Sequence, residues 1–385
     1  MNNVKVVIGA NYGDEGKGVT TDYLCRTLGG STLNVLYNGG MQRGHTVKDF
    51  TFHCFGAATL SGADTYYDWE FMINPIAWVQ ELINLNDDYV IKNRITINPM
   101  FFANWDCPIT TPYDIQINRA IEKQRGVNRH GSCGMGILET YKRSQNPKYR
   151  ITFRDLGNQL ALYRKLQLIR DEYVKIRLDE LNINSIDEVD SIDDFMKCSF
   201  DLFKIVKGVD SINDISAQYR NIIFEAGQGL LLSADRINET KHLTPSYTGL
   251  DYITVWLNNL PDDVDVEVIY VTRSYITRHG AGNLQFETNI AELGLYSQDT
   301  SNVYNDYQGS IRYGRLQIEP MLDRINKDFD KLINPNAKKS LSITWLDKTG
   351  GFIRSHYCGM QFDCLNPRIL TGHFNQLYTD CYEIS

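Results

Sequence analysis

The chain of 385 residues carries 39 Lys and Arg against 47 Asp and Glu, a formal net charge of −8, with 42% hydrophobic residues. The length supports a large buried core, and the acidic balance argues against nucleic acid or an anionic membrane surface as a partner. No apolar run approaches the roughly 18 residues of a membrane span, and the N-terminus enters a polar strand and loop at once, so a cytoplasmic protein without a signal peptide is expected.

Residues 4–18 read V-K-V-V-I-G-A-N-Y-G-D-E-G-K-G. Val4, Val6, Val7 and Ile8 suit a buried strand. Gly9, Gly13, Gly16 and Gly18 let the backbone turn sharply and bring its N–H groups close to an anion. Lys17 adds a point charge for phosphate oxygens. Asp14 stands at the crown, where a carboxylate repels phosphate unless it holds Mg²⁺ or takes a proton, so the loop reads as built for phosphate chemistry. It is not a Walker A loop, which needs a glycine five residues before Gly16 and a Ser or Thr after the lysine; those places hold Asn11 and Gly18. Asp14 also has a plainer reading, as a cap of the helix that follows.

A second strand is expected over 33–37, followed by N-G-G-M-Q-R-G-H-T-V at 38–47. A glycine loop after each of the first two strands puts a site at the carboxyl ends of an open α/β sheet. Residues 69–86 and 113–125 read as helices, and 125–136, R-G-V-N-R-H-G-S-C-G-M-G, as another polar glycine loop. Residues 155–208 read as helical and mostly acidic, with 179–195 a solvated helical insertion. Further strands are expected at 221–225, running into A-G-Q-G, at 266–272, running into R-S-Y-I-T-R-H-G-A-G, and at 341–347, ending in an acid. The recurring unit of strand, polar loop and helix predicts an α/β fold with a largely parallel central sheet and helices on both faces. The expected architecture is P-loop-like, one domain over 1–385 with a helical insertion at about 155–215. The cysteines at 25, 54, 107, 133, 198, 358, 364 and 381 form no C-x-x-C pair, so zinc and redox motifs are unsupported and free thiols are expected. Cys133, in a glycine loop, is the exception to watch.

These loops, in this order, resemble adenylosuccinate synthetase over most of the chain. The likeness is carried by G-D-E-G-K-G at 13–18, G-G-M-Q-R-G-H-T at 39–46, F-E-A-G-Q-G at 224–229, T-R-H-G-A-G at 277–282 and T-W-L-D at 344–347. The resemblance implies a ligase working in two steps. Asp14 removes the N1 proton of a 6-oxopurine nucleoside monophosphate, and O6 attacks the γ-phosphate of GTP or ATP. The amino group of L-aspartate then displaces phosphate. Lys17, His45 and Mg²⁺ steady the developing charge, with the Asp14 carboxylate and the Gly44 carbonyl as metal ligands. The resemblance further implies that Asn11, Gly13, Gly16, Gly18, Gly40, Ser132, Cys133, Arg143, Gln228, Thr244 and Gly280 bind the nucleotide. Lys17, Gly44, Thr46, Trp345 and Asp347 would bind the triphosphate, and Arg312 and Arg315 would clamp aspartate. A homodimer is implied, in which Arg143 reaches a neighbouring subunit's nucleotide. Plainer readings stand beside these: His45 as a satisfied loop histidine, Gln228 as a brace, Thr244 as structural, and Asp347 as a strand end.

The sequence departs from the family pattern at base and phosphate contacts. In place of T-T-G-R-G stands Ser132-Cys133-Gly134-Met135-Gly136, without the arginine; the arginine-rich aspartate loop is G-S-I-R-Y-G-R at 309–315; the lysine of T-K-x-D is Trp345. A flat aromatic can stack on any purine, which makes ATP a donor beside GTP. With the phosphoryl-transfer core intact, these changes resemble bacteriophage relatives that make a 2-aminoadenine precursor from dGMP in the host cytoplasm. Several of those relatives replace the loop aspartate by a small residue, whereas Asp14 is retained here. The diverged loops and compact length tip the expectation to dGMP, with IMP and GTP, as in AMP synthesis, the alternative. A regulatory nucleotide switch is a reading of another class; its sign would be loss of Asp14, Lys17 or His45, and all three are present.

Overall fold

The structure is a computed structural model and describes every residue except 94–95, 188, 190, 241, 297–303, 305–307, 358, 365–369, 371 and 379–385. In chain order the strands are β1 Asn3–Gly9, β2 Thr32–Leu36, β3 His45–Val47, β4 Phe50–Phe52, β5 Asp64–Tyr67, β6 Phe101–Asn104, β7 Lys207–Val209, β8 Asn221–Gly229, β9 Asp265–Arg273, β10 Ile276–Arg278, β11 Glu287–Thr288, β12 Arg312–Gly314, β13 Leu316–Gln317, β14 Lys338–Thr344, β15 Ile353–Tyr357, β16 Met360–Cys364 and β17 Gln376–Tyr378. Nine of them form the central sheet in the order β17-β14-β9-β1-β8-β2-β5-β6-β7, and neighbouring strands run parallel. β1 is central, paired with β8 on one side and β9 on the other. The chain builds outward from this centre in both directions, which makes the carboxyl end of β1 the crevice where open α/β sheets bind ligands.

Side-chain alternation explains why both faces are covered. Val4, Val6 and Ile8 of β1 and Val266, Val268 and Tyr270 of β9 face a core closed by the helices Thr254–Asn258 and Ile318–Phe329. Val7, Ile269 and Val271 face the other side, against Leu24 and Cys25 of the helix Lys17–Leu28. A further core joins Leu36, Tyr67, Phe101 and Ala103 to the helices Pro75–Ile83, Pro112–Arg125, Gln159–Leu168 and Ile192–Ile205. The α/β reading with helices on both faces therefore holds.

Two helix expectations need correction. The one placed at 69–86 begins only at Pro75, because proline fits the first helical position and the Asn74 side chain caps the N–H groups of Ile76 and Ala77. The 155–208 stretch is broken: Asn182 stops a helix in the left-handed conformation at φ 53°, and Ser191 caps a new one. Phe195, expected in a solvated helix, is buried. The stretch ends in β7, an edge strand of the central sheet paired with β6. Cys25, Cys54, Cys107, Cys133 and Cys198 are free thiols, while Cys358 and Cys381 lie outside the described residues.

Candidate functional site

β1 ends at Gly9, and the chain turns into the helix Lys17–Leu28 through Gly16, the N-cap at φ 86°. Gly13 at φ 95° and Asp14 at φ 55° share this left-handed region. Glycine adopts it freely, whereas Asp14 has to be held there. Arg273, at the end of β9, does so by donating from Nε to the Asp14 carbonyl. The Asp14 carboxylate, 28% exposed, lies 3.3 Å from His279 Nε2.

Glu15 is folded under the loop. Its Oε1 accepts from the Asn11 N–H, and its carbonyl accepts from Thr344 Oγ1 at 2.9 Å. A Cβ on Gly9 would come within 2.0 Å of Glu15 Oε2, so only glycine leaves room for this carboxyl. Burial pushes Glu15 up to about 7, against the downward pull of Lys17, whose Nζ is 3.8 Å away. The acid pair thus splits into an accessible carboxylate and an internal brace.

His45 opens the β3–β4 hairpin and rests on the start of the Lys17–Leu28 helix, where a Cβ on Gly18 would sit 2.7 Å from His45 Cβ. Behind the ring, Nδ1 contacts Glu225 Oε1 of β8. Arg43 Nη2 lies 2.6 Å from that same oxygen and 2.7 Å from His45 Nδ1. Glu225 Oε2 accepts from the Ala57 N–H at 3.0 Å. Burial, with Arg43 adding to it, pushes His45 down to about 3. Burial alone would push Glu225 up, but the Arg43 charge, with the hydrogen bond from His45, holds it well below the usual carboxylate range. A neutral imidazole is thus fixed against an ionised carboxylate.

Other loops close around this centre. The 126–136 loop docks on the loop after β10, with the Ala281 N–H donating to the His130 carbonyl at 3.1 Å. A Cβ on Gly131 would sit 2.6 Å from Gly280 Cα, so the two backbones touch directly. Ser132 Oγ accepts from Asn118 Nδ2 at 2.9 Å, and burial pushes the Cys133 thiol up to about 11. Gln228 Oε1 lies 3.5 Å from where a Gly13 Cβ would stand. Trp345, at φ 62°, has the Arg273 guanidinium 4.3 Å over its ring. Gly44 and Asp347 are exposed, the latter paired with Lys348 at 3.3 Å. Gly40 is a packing position, since a Cβ there would meet the Met72 carbonyl at 2.8 Å.

Several expected ligand contacts are already engaged within the chain. Arg143 is fully buried, bonded to Asp114 at 2.8 Å and to the carbonyls of Tyr149 at 2.7 Å and Ile109 at 2.6 Å. It ties helices together and does not point outward to a neighbouring subunit. The Asn11 carboxamide joins Thr272 Oγ1 at 3.0 Å to Arg324 Nη2 at 2.8 Å. Thr46 Oγ1 pairs with Thr51 Oγ1 at 2.8 Å. Arg312 holds Glu287 at 2.8 Å and the carbonyls of Gly280 and Gly282, and Arg315 holds Asp363 at 2.6 Å. Both proposed aspartate clamps therefore grip internal carboxylates.

Other buried polar atoms have no hydrogen-bond partner within the described chain: Glu15 Oε2, both ends of the Gln42 amide, Arg43 Nε and Nη1, Thr244 Oγ1, Ser246 Oγ and Arg324 Nε. Native interiors pair most such groups. These lie in the loops after β1, β2 and β8, or on the Ile318–Phe329 helix that reaches Asn11, and a polar ligand would complete those that face the crevice. Sequence reasoning gave no role to Glu15, Arg43, Glu225, Arg273, His279 or Arg324. The first three and His279 sit inside the quoted motifs; Arg324, on an ordinary amphipathic helix, left no signal.

Fold and site together define an open parallel α/β protein with a glycine-rich anion loop at its central crevice, lined by a carboxylate, a lysine and a histidine backed by glutamate. Residues 6–313 match the Adenylosuccinate synthetase family, and the chain belongs to it. It is 29% identical over 353 residues to the adenylosuccinate synthetase of Buchnera aphidicola subsp. Schizaphis graminum, covering 90% of this chain and 78% of that one. It is 31% identical over 297 residues to that of Acaryochloris marina, covering 75% of this chain but 64% of that one, under two thirds of its length. Among solved structures, fully ligated adenylosuccinate synthetase from Plasmodium falciparum matches with TM-score 0.69 at 20% identity, over 90% of this chain and 77% of that one. Cyanophage S-2L succinoaminodeoxyadenylate synthetase, bound to dGMP and to dATP as an energy donor, matches with TM-score 0.58 at 14% identity, over 90% of this chain and 86% of that one. These two structural matches speak to the fold alone.

Proposed function

We propose that the protein is a ligase that joins L-aspartate to a 6-oxopurine nucleoside monophosphate through a 6-phosphoryl intermediate, with a nucleoside triphosphate as phosphoryl donor. The observation that carries this is the gathering of Asp14, Lys17 and the His45–Glu225 pair at one glycine loop. Asp14, in reach of solvent, serves as the base for N1. Lys17 supplies fixed charge at the transferring phosphoryl group, and His45 a ring nitrogen held in place. Among the described residues no three His, Cys, Asp or Glu cluster to hold a metal by themselves. The partly exposed Asp14 carboxylate fits Mg²⁺, which binds through one or two carboxylates together with substrate phosphates. Asp14 and the Gly44 carbonyl are this chain's donors, and the ion would neutralise phosphate charge.

The acceptor is dGMP in this reading, and the donor is ATP or GTP. The support is the divergence at Trp345 and at Ser132–Gly136 with the phosphoryl-transfer residues Asp14, Lys17 and His45 retained. The retained Asp14 favours IMP as the second reading. Homodimerisation is part of the proposal, though Arg143 does not serve it. Phosphate release is measured with aspartate, Mg²⁺, GTP or ATP, and either dGMP or IMP. Release with dGMP is expected. Release with IMP alone ends the dGMP reading, and release with neither favours a nucleotide switch.

A further inference from the structure

We propose that Arg43 is a positioning residue for phosphoryl transfer, locking the His45 ring through their shared partner Glu225; this rests on the synthetase reading above. Arg43 and Glu225 side chains are both 0% exposed. One guanidinium nitrogen, Nη2, touches Glu225 Oε1 and His45 Nδ1 together, at 2.6 Å and 2.7 Å. Glu225 is thereby fixed from three sides, by Arg43, His45 and the Ala57 N–H. The base of the side chain is packed too, since a Cβ on Gly18 would sit 2.7 Å from His45 Cβ.

The contrast with Arg143 decides between a structural and a functional account. Arg143 is equally buried, and its Nε, Nη1 and Nη2 all donate to oxygens. Arg43 leaves Nε and Nη1 without a partner in the described chain. Unpaired buried donors destabilise a fold, so packing gives no reason for an arginine here. A guanidinium that holds the carboxylate to which the histidine is anchored does. Lysine, a point charge on a flexible stem, would not reproduce that fork.

The test is a double-mutant cycle on the whole chain, with Arg43→Met, Arg43→Lys and His45→Ala, reading kcat and each KM for phosphate release. Arg43→Met is expected to lower kcat about 10²-fold, the scale of a small misplacement of a reacting group, with every KM within about threefold. In the His45→Ala background the same substitution is expected to change kcat less than about twofold, because residues acting as one unit are not additive. Arg43→Lys loses less, and its loss also vanishes in that background. It carries the cycle alone should thermal unfolding show that Arg43→Met does not fold. An undiminished kcat, a raised KM at constant kcat, or a full loss in the His45→Ala background overturns the proposal. Wild-type protein inactive with every acceptor overturns the synthetase reading instead, and this proposal with it.

Discussion

Asp14 and Glu15 show how neighbouring residues of one charge type part company. Asp14 keeps 28% of its side chain exposed beside His279, while burial pushes Glu15 up to about 7. Carboxylates whose surroundings differ this way take different tasks. Asp14→Ala is expected to cut turnover by about 10³-fold, within the range for loss of a general base, while calorimetry still detects nucleotide binding; unchanged turnover removes Asp14 from that role. Glu15 makes a prediction about pH. Its folded pKa lies above the ordinary 4.5, so as pH rises the unfolded chain loses its proton first. The stability that Glu15 contributes is full below 4.5 and is lost between 4.5 and about 7. Relative to Glu15→Gln, the wild type should lose on the order of 3 kcal/mol of unfolding free energy between pH 4.5 and pH 8. A stability gap between the two that does not change with pH would contradict the assignment. Glu15 and Glu225 stood in plain view inside the motifs, but which side of a loop a carboxylate faces is settled by tertiary contacts.

At the level of elements, local grammar was readable where local chemistry decides. Thr111 and Asp114 form a capping box, and the helix expected at 113–125 starts at Pro112, a residue suited to the first helical position. Composition alone did not reveal that Asn182 ends a helix, nor that the acidic stretch leads into an edge strand. Arg143 was misread for a related reason: its partner Asp114 lies one helix away, and a buried ion pair leaves no mark on spacing. Arg143→Met leaves Asp114 buried without its countercharge and should cost about 3–5 kcal/mol in chemical denaturation. Nucleotide KM should stay near wild type in whatever protein remains folded. A large KM change without loss of stability would restore Arg143 to the nucleotide site.

Across the whole molecule, the order of the motifs was legible because each lies at or just after the carboxyl end of a strand of one parallel sheet and so emerges at one edge. The order of the strands was not legible. β8 inserts between β1 and β2, pairing Asn3 with Asn221 and Thr32 with Asn221, and no local pattern announces a partner two hundred residues away. The unpartnered atoms around the crevice lead to a prediction for the entire fold. Saturating the protein with acceptor nucleotide at about 100 times its Kd should raise the unfolding free energy by roughly 2.7 kcal/mol, seen as a higher melting temperature. No shift with dGMP, IMP, GTP or ATP would mean that the crevice binds something else.

Arg273 carries a consequence for substrate choice. One guanidinium covers the Trp345 ring and also grips the backbone of Asp14. In the proposed synthetase reading, the donor site at Trp345 and the base at Asp14 then share a hinge. Trp345→Lys is expected to raise the GTP-to-ATP ratio of kcat/KM and, because Arg273 loses its platform, to slow the reaction with either donor. A mismatched donor would be sluggish as well as loosely held.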